Sequence, residues 1–294
     1  MTYESKINFA ALKAVDTHVH IEADDHGHSA LPQVLLDAAD AYFGGRDSSP
    51  GLDEIAEYYR ERSMAAVVFT VDSSTAMKTR PNSSEEIALG AARNNDVLIP
   101  FGSVDPLKGP AAVEQARKLA GDFGVRGFKF HPSVQNFDPS DTAFYPLFEV
   151  LQGLGLPVIF HTGQTGIGAG LPGGFGIKLR LSNPMLLDDL AADFPELKII
   201  MAHPSVPWQD EAISIATHKA NVWIDLSGWS PKYFSPNLIR NANSILQDKV
   251  LFGSDFPAIT PDRWLADFDK LEIKEHVRPK ILKDNAVKLL GFAK

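Results

Sequence analysis

Eight short apolar runs, each leading toward a stretch of helical periodicity, recur from one end of the chain to the other. They read AVDTHVH (14–20), MAAVVFTVD (64–72), VLIPFGSVDP (97–106), VRGFKFHP (125–132), PVIFHTG (157–163), LKIIMAHP (197–204), NVWIDLSG (221–228) and KVLFGSDFP (249–257). Runs that are nearly continuous in apolar residues fit strands covered on both faces, as in parallel sheets. Between them the period near 3.6 predicts helices at 52–63, 83–95, 110–124, 144–155, 183–195, 208–220 and 236–248, and a pair within 262–292. Ser83 with Glu86 fits a capping box, and Gly124 and Gly155 stand where helices stop. Eight such units in 294 residues predict an α/β fold, a single (β/α)8 TIM barrel occupying 1–294 as one domain. A doubly wound sheet is the alternative, but it calls for a Gly-rich phosphate turn after an early strand, and the first strand ends in His-Val-His. The long connection at 21–51, with a helical piece at 31–43, reads as a short insertion over the barrel mouth.

Composition removes several function classes. The chain has no cysteine, which excludes disulfide scaffolds, thiolate metal sites and a cysteine nucleophile. A net charge of −9 disfavours nucleic acid as a partner, since phosphate backbones demand a positive face. No window approaches the run of about 20 apolar residues that a membrane span needs. The opening MTYESKINFAALKAVD lacks a basic head followed by an apolar run, so a cytoplasmic protein is expected.

Five of the nine histidines fall at the C-terminal ends of expected strands: His18 and His20, His131, His161 and His203, with Asp255 at the eighth. That is the end where barrel active sites lie. Alternation along a strand points His18 and His20 the same way, together with Asp16, and gives Lys129 and His131 a common face. A lone strand histidine is more often a hydrogen-bonded core group than a ligand, and His-x-His alone is weak. Five of them beside an aspartate are harder to read that way. Imidazole nitrogen and carboxylate oxygen suit one divalent ion, zinc first, with manganese or iron as alternatives. Such an ion can lower the pKa of bound water to about 7 or polarise a carbonyl, and a further histidine can move protons.

DTHVH, FHTG, MAHP and GSDFP, in that order on strands one, five, six and eight, resemble the amidohydrolase superfamily. The chain is most similar to its aminocarboxymuconate-semialdehyde decarboxylase-like branch, over about 14–292. The resemblance implies His18, His20, His161 and Asp255 as metal ligands. It implies His203 as the catalytic histidine, paired with Asp255. Lys129 is a candidate for the carboxylated lysine that bridges two metals in other branches, but this branch generally uses one metal. Lys129 is therefore expected to bind substrate or to pair with Asp16 or another carboxylate. Barrels of the branch are often dimers or larger, so a homo-oligomer is implied.

Residues 163–176, GQTGIGAGLPGGFG, follow strand five and read as a substrate loop. Further substrate candidates are His131, Glu22, Arg80, Lys178, Arg180 and Trp208, with Arg46 and Trp229 beside them. The segments FHTGQTGIGAGLPGG, MAHPSVPW, DLSGWSPKYF and LFGSDFPAITPDRWL resemble a bacterial subgroup of hydroxycinnamate breakdown. That subgroup cleaves an aromatic β-ketoacyl-CoA between carbons. The resemblance thus implies a hydrolase acting on a small-molecule carbonyl substrate. The alternative is a non-oxidative decarboxylase of an aromatic or muconate-type acid on the same site. The acidic charge sits awkwardly with a CoA ester, which would have to rely on local cations such as Lys178 and Arg180.

Overall fold

The eight apolar runs become eight parallel strands. They are β1 (Ala14–His20), β2 (Met64–Phe69), β3 (Leu98–Pro100), β4 (Phe128–Phe130), β5 (Val158–His161), β6 (Ile199–Ala202), β7 (Val222–Asp225) and β8 (Val250–Leu251). The computed structural model describes residues 2–24, 26–43 and 49–293. β1 to β3 pair in sequence order, and so do β4 to β8. Hydrogen bonds cross both seams between these sheets. Lys129 N–H donates to Gly102 O (2.8 Å) and Gly102 N–H to Gly127 O (2.9 Å). Thr17 N–H donates to Phe252 O (3.0 Å) and His20 N–H to Phe256 O (2.8 Å). The ring is the expected (β/α)8 barrel.

Strand residues divide by parity into two buried layers. Ala65, Val67, Phe69, Ile99, Ile159 and Ile200 fill the barrel interior. Their neighbours Ala66, Val68, Leu98, Phe128, Phe160 and Ile199 face the surrounding helices. Being buried on both sides is why the runs are apolar without alternation.

The helices follow the expected positions, with differences at their ends. Helix Leu52–Glu61 buries Leu52, Ile55, Ala56 and Tyr59, one stripe at helical spacing. Ser83 caps helix Ser84–Arg93 by accepting from Glu86 N–H (3.2 Å). The stretch expected as a helix at 236–248 is helical only over Pro236–Ala242. Beyond it the Asn243 side chain bonds to Glu272 O and Ser244 Oγ to Arg240 O, competing with the helical ladder. A short helix not anticipated, Pro132–Gln135, follows β4. In the insertion, an antiparallel bridge joins Ala23 to Ser29 and helix Gln33–Phe43 follows. Among the described residues no helix is long and apolar enough to cross a membrane.

One expectation of parity needs correction. The register of β1 shifts between Asp16 and Val19. Asp16 pairs with Ala66 of the outer layer, whereas His20 pairs with Phe69 of the inner one. The irregularity therefore sends Asp16 outward while His18 and His20 face in. Asp16 is fully buried and accepts four hydrogen bonds. They come from Tyr59 Oη (2.6 Å), Ser254 Oγ (2.5 Å), Ser254 N–H (2.9 Å) and His18 N–H (3.0 Å). Burial pushes its pKa up to about 6, against the lowering effect of the Ser254 and Tyr59 bonds. The carboxylate thereby ties β1 to helix Leu52–Glu61 and to the segment after β8. Tyr59→Phe removes one donor from this buried acceptor and is expected to cost about 1–3 kcal/mol. Urea denaturation checks it, and an unchanged midpoint would mean that the bond contributes nothing net.

Candidate active site

Three donor atoms converge at the C-terminal mouth of the barrel. His18 Nε2 and His20 Nε2 are 3.2 Å apart. Asp255 Oδ1 lies 3.3 Å from the first and 3.2 Å from the second. Donors held about 2.1 Å from one tetrahedral ion are separated by about 3.4 Å, so the spacing fits a divalent cation. The electrostatics fit as well. Burial first, and then the nearby Lys129 charge, push the His18 pKa down to about 3, which keeps its ring neutral. Burial alone would raise the Asp255 carboxyl. The His20 hydrogen bond and the adjoining His203 and His18 rings outweigh burial and hold it well below the usual range.

Behind His18 stands a residue that sequence reasoning passed over. Asp225 ends β7 on the interior face and accepts from His18 Nδ1–H at 2.8 Å. Its second oxygen accepts from Ser227 N–H at 2.8 Å. The carboxylate fixes the proton on Nδ1 and leaves Nε2 unprotonated, the form a metal requires. The signal was present in NVWIDLSG, an acid closing a buried strand as histidines close β1 and β5. Lys129 lies on the other side, its Nζ 3.0 Å from His18 Nε2. It is fully buried, and burial pushes its pKa down to about 8, opposed by Asp225 and Asp255. It does not pair with Asp16, which faces the opposite layer.

The remaining histidines form an adjoining wall. The His161 ring stacks on His131, centroids 3.8 Å apart. His161 Nδ1 meets His203 Nε2 at 3.0 Å, and His203 Nδ1 meets Ser227 Oγ at 2.9 Å. His161 Nε2 is buried with no partner. If His161 Nδ1–H donates to His203, that nitrogen is a bare lone pair, as a fourth ligand requires. Burial depresses the basicity of His131, His161 and His203, so all three rest neutral. His203 makes no hydrogen bond to Asp255, which reaches it only as a nearby charge. Ala202 before it faces the interior, so alternation would turn His203 outward. A φ of 74° brings it back in, and Asp255 has φ 71°. A Cβ on Gly228 would lie 2.4 Å from His203 Nδ1, so the ring packs where only glycine fits.

Above these groups lies a cavity of about 170 Å³. His20, His131, His161, His203 and Asp255 form its polar floor. Leu36, Ile167 and Trp229 are among its apolar walls, with Glu22, Asn82 and Gln164 at their edges. The Gly-rich loop contributes 164–167, as expected of a substrate loop. A Cβ on Gly163 would lie 2.8 Å from Ser205 backbone, which is the close approach that this glycine permits. Lys129 lies beneath the floor and does not line the cavity. Arg80, Lys178, Arg180 and Trp208 do not line it either. Arg80 is exposed and bonded to Asp24 (2.5 Å), and Lys178 and Arg180 are exposed beyond the loop. Arg46 lies outside the described residues. Among the described residues the wall holds no lysine or arginine.

The family model described as Amidohydrolase matches residues 15–292. No curated protein matches the chain. Several solved structures do. An uncharacterised TIM-barrel protein from Bordetella bronchiseptica is 24% identical, covering 95% of this chain and 99% of its own, with a TM-score of 0.76. A dihydroxybenzoic acid decarboxylase from Polaromonas sp. JS666, with bound manganese and the inhibitor 2-nitroresorcinol, is 18% identical over 96% and 98%, TM-score 0.68. A 5-carboxyvanillate decarboxylase from Novosphingobium aromaticivorans, with manganese and 4-hydroxy-3-methoxy-5-nitrobenzoic acid, is 14% identical over 99% of each chain, TM-score 0.68. At these identities the likeness establishes the shared barrel.

The Asp225 contact yields a direct test. In Asp225→Asn a single amide oxygen must serve both His18 Nδ1–H and Ser227 N–H, without the charge. Zinc affinity, measured by chelator competition, is expected to fall about 10–100-fold. Unchanged affinity would mean that His18 is not a ligand.

Proposed function

The chain belongs to the amidohydrolase family and is an enzyme of it, and from that premise we propose a metal-dependent, non-oxidative decarboxylase of a single-ring aromatic acid. The cavity carries this reading. An apolar cavity of about 150 Å³ is enough to hold benzene, and this one measures about 170 Å³. With no lysine or arginine in its described wall, a substrate carboxylate finds its complement only at the floor, where the donor atoms converge. The decarboxylases that share the fold and carry aromatic ligands with manganese support the same class.

His18, His20 and Asp255 would hold the ion, with His161, whose buried Nε2 has no hydrogen-bond partner, as the fourth donor, and zinc and manganese both suit that set. A divalent ion there would supply the positive charge that complements a substrate carboxylate. The chain's own residues do the rest. Leu36, Ile167 and Trp229 exclude water and favour conversion of a charged acid into neutral products. Loss of carbon dioxide leaves the electron pair on the ring carbon, which must gain one proton. His203 lies outside the His18, His20 and Asp255 group, although its nitrogen also lies close to those of His18 and the carboxylate of Asp225, and its Nδ1 is anchored on Ser227. At rest its Nε2 accepts from His161, so His203 would first gain a proton there from solvent, releasing that contact, and then pass it to the ring carbon.

Cleavage of an aromatic β-ketoacyl-CoA is a second reading, and one observation favours it. The segments resembling that subgroup contribute Gln164, Ile167, Trp229 and Ala258 to the cavity wall. The nucleotide would then lie outside, where Lys178 and Arg180 are exposed.

Manganese- or zinc-loaded protein should be offered hydroxybenzoates and aromatic β-ketoacyl-CoA esters, following carbon dioxide and acetyl-CoA. The expected result is carbon dioxide, with deuterium from heavy water at the vacated ring carbon. Acetyl-CoA without carbon dioxide would overturn it in favour of the second reading. His203→Ala should lower kcat about 10²–10⁴-fold with metal content retained.

A further inference from the structure

His131 lines the cavity, yet it belongs neither to the converging donors nor to the His161–His203–Ser227 chain. Its surroundings fix more than its position. The backbone N–H donates to Gln135 Oε1 (2.8 Å), and Gln135 is itself held by donation to Asp72 O and Val104 O. The ring is held through Nδ1, 3.3 Å from Ser133 Oγ. Ser133 Oγ in turn lies 2.9 Å from Ser182 Oγ. Both serines are buried, at 2% and 1% exposure, so solvent serves neither hydroxyl.

The chain Ser182–Ser133–His131 can run in two directions. In one, Ser182 donates to Ser133 and Ser133 donates to Nδ1, so every hydroxyl proton has an acceptor. In the other, Nδ1–H donates to Ser133 and Ser133 to Ser182. The Ser182 proton then has no acceptor among the described residues. A buried donor left without an acceptor is the more costly defect, whereas an unfilled lone pair is commonplace. The first direction makes Nδ1 an acceptor and puts the ring proton on Nε2. Nε2 has no hydrogen bond in the described structure. Unlike His161 Nε2, it is not among the atoms sealed from the cavity.

We infer that Ser133 and Ser182 are positioning residues that hold His131 as its Nε2–H tautomer, so that it presents a neutral hydrogen-bond donor to a substrate oxygen. A neutral donor suits an oxygen that carries charge before carbon dioxide leaves, because it binds that oxygen without neutralising it. Ser182 closes the segment after the Gly-rich loop, and its carbonyl accepts from Gly163 N–H at 2.8 Å. The same residue therefore sets the loop's root and the histidine's proton. The tautomer stands on hydrogen bonds alone; the ligand class rests on the decarboxylase reading above.

The test is ring nitrogen-15 NMR of the zinc-loaded protein, with His131 assigned by the resonances lost in His131→Gln. The expected wild-type pattern is an unprotonated Nδ1 and a protonated Nε2. A proton on Nδ1, or on both nitrogens at neutral pH, would overturn the inference. Ser182→Ala frees Ser133 to donate or accept and should give a mixture, and Ser133→Ala should lose the preference. Wild-type patterns in both variants would also overturn it. Benzoate is the binding probe: it should shift the His131 Nε2–H signal, and Ser133→Ala should weaken it about tenfold. Benzoate that moves the Trp229 indole signal but not His131 would refute the donor role. Benzoate that moves neither would count against the aromatic-acid reading and leave the tautomer to the first two measurements.

Discussion

The hydrogen bond from His18 Nδ1 to Asp225, 2.8 Å long and wholly buried, is the contact on which the barrel mouth depends. Without it the His18 ring could rotate or carry its proton on either nitrogen. With it, Nε2 is a lone pair pointed at His20, Asp255 and Lys129. Burial alone would raise the Asp225 carboxyl, but the His18 contact and the nearby His203 ring hold it well below the ordinary range. A buried acid in that state needs partners on both oxygens. His18 supplies one and Ser227 N–H the other, and Ser227 Oγ then reaches His203. One strand end thus orients a histidine on β1 and a second one after β6.

Much of this was legible from alternation. Lys129, His131 and His161 face inward because interior and exterior residues alternate along β4 and β5. The barrel could be read from runs too apolar to have a wet face. Alternation failed where the backbone departs from a strand. The β1 irregularity reversed Asp16 relative to His18, and nothing in DTHVH announces it. His203 and Asp255 are turned by φ values of 74° and 71°, which ordinary side chains seldom adopt. Their position at strand ends was readable, but their direction was not.

The cationic candidates fared differently for a physical reason. Lys178, Arg180 and Arg80 stand on connections whose paths are set by packing and not by periodicity. Proximity in sequence to a ligand-bearing strand says little about which way such a side chain points. Arg80 turns to Asp24, and Lys178 and Arg180 turn to solvent. The described cavity is left with neutral and acidic walls, so selectivity for an acid has to come from the converging donors and from neutral hydrogen bonds.

What divides the clustered histidines into roles is the partner at Nδ1. All four buried rings, His18, His131, His161 and His203, have that nitrogen engaged by the protein. A carboxylate there can only accept, so Asp225 forces the proton onto His18 Nδ1 and leaves Nε2 in the unprotonated form that a metal ligand needs. A hydroxyl can accept or donate, and what lies behind it decides. Ser133 has Ser182 donating to it, so it donates onward and makes His131 Nε2 a donor. At Ser227 either direction strands one buried proton. If Ser227 donates to His203 Nδ1, His161 Nε2 is left holding a proton without an acceptor. If Ser227 accepts, its own hydroxyl proton is unpaired, but His203 Nε2 accepts from His161 and His161 Nε2 is the bare lone pair that a ligand needs. Rings of one residue type, packed within a few ångströms, thereby differ in which nitrogen carries the proton, and the proposed roles of ligand, donor and proton carrier rest on that difference and not on the imidazole itself. The distinction is set one residue further out, at Asp225, Ser133 and Ser227.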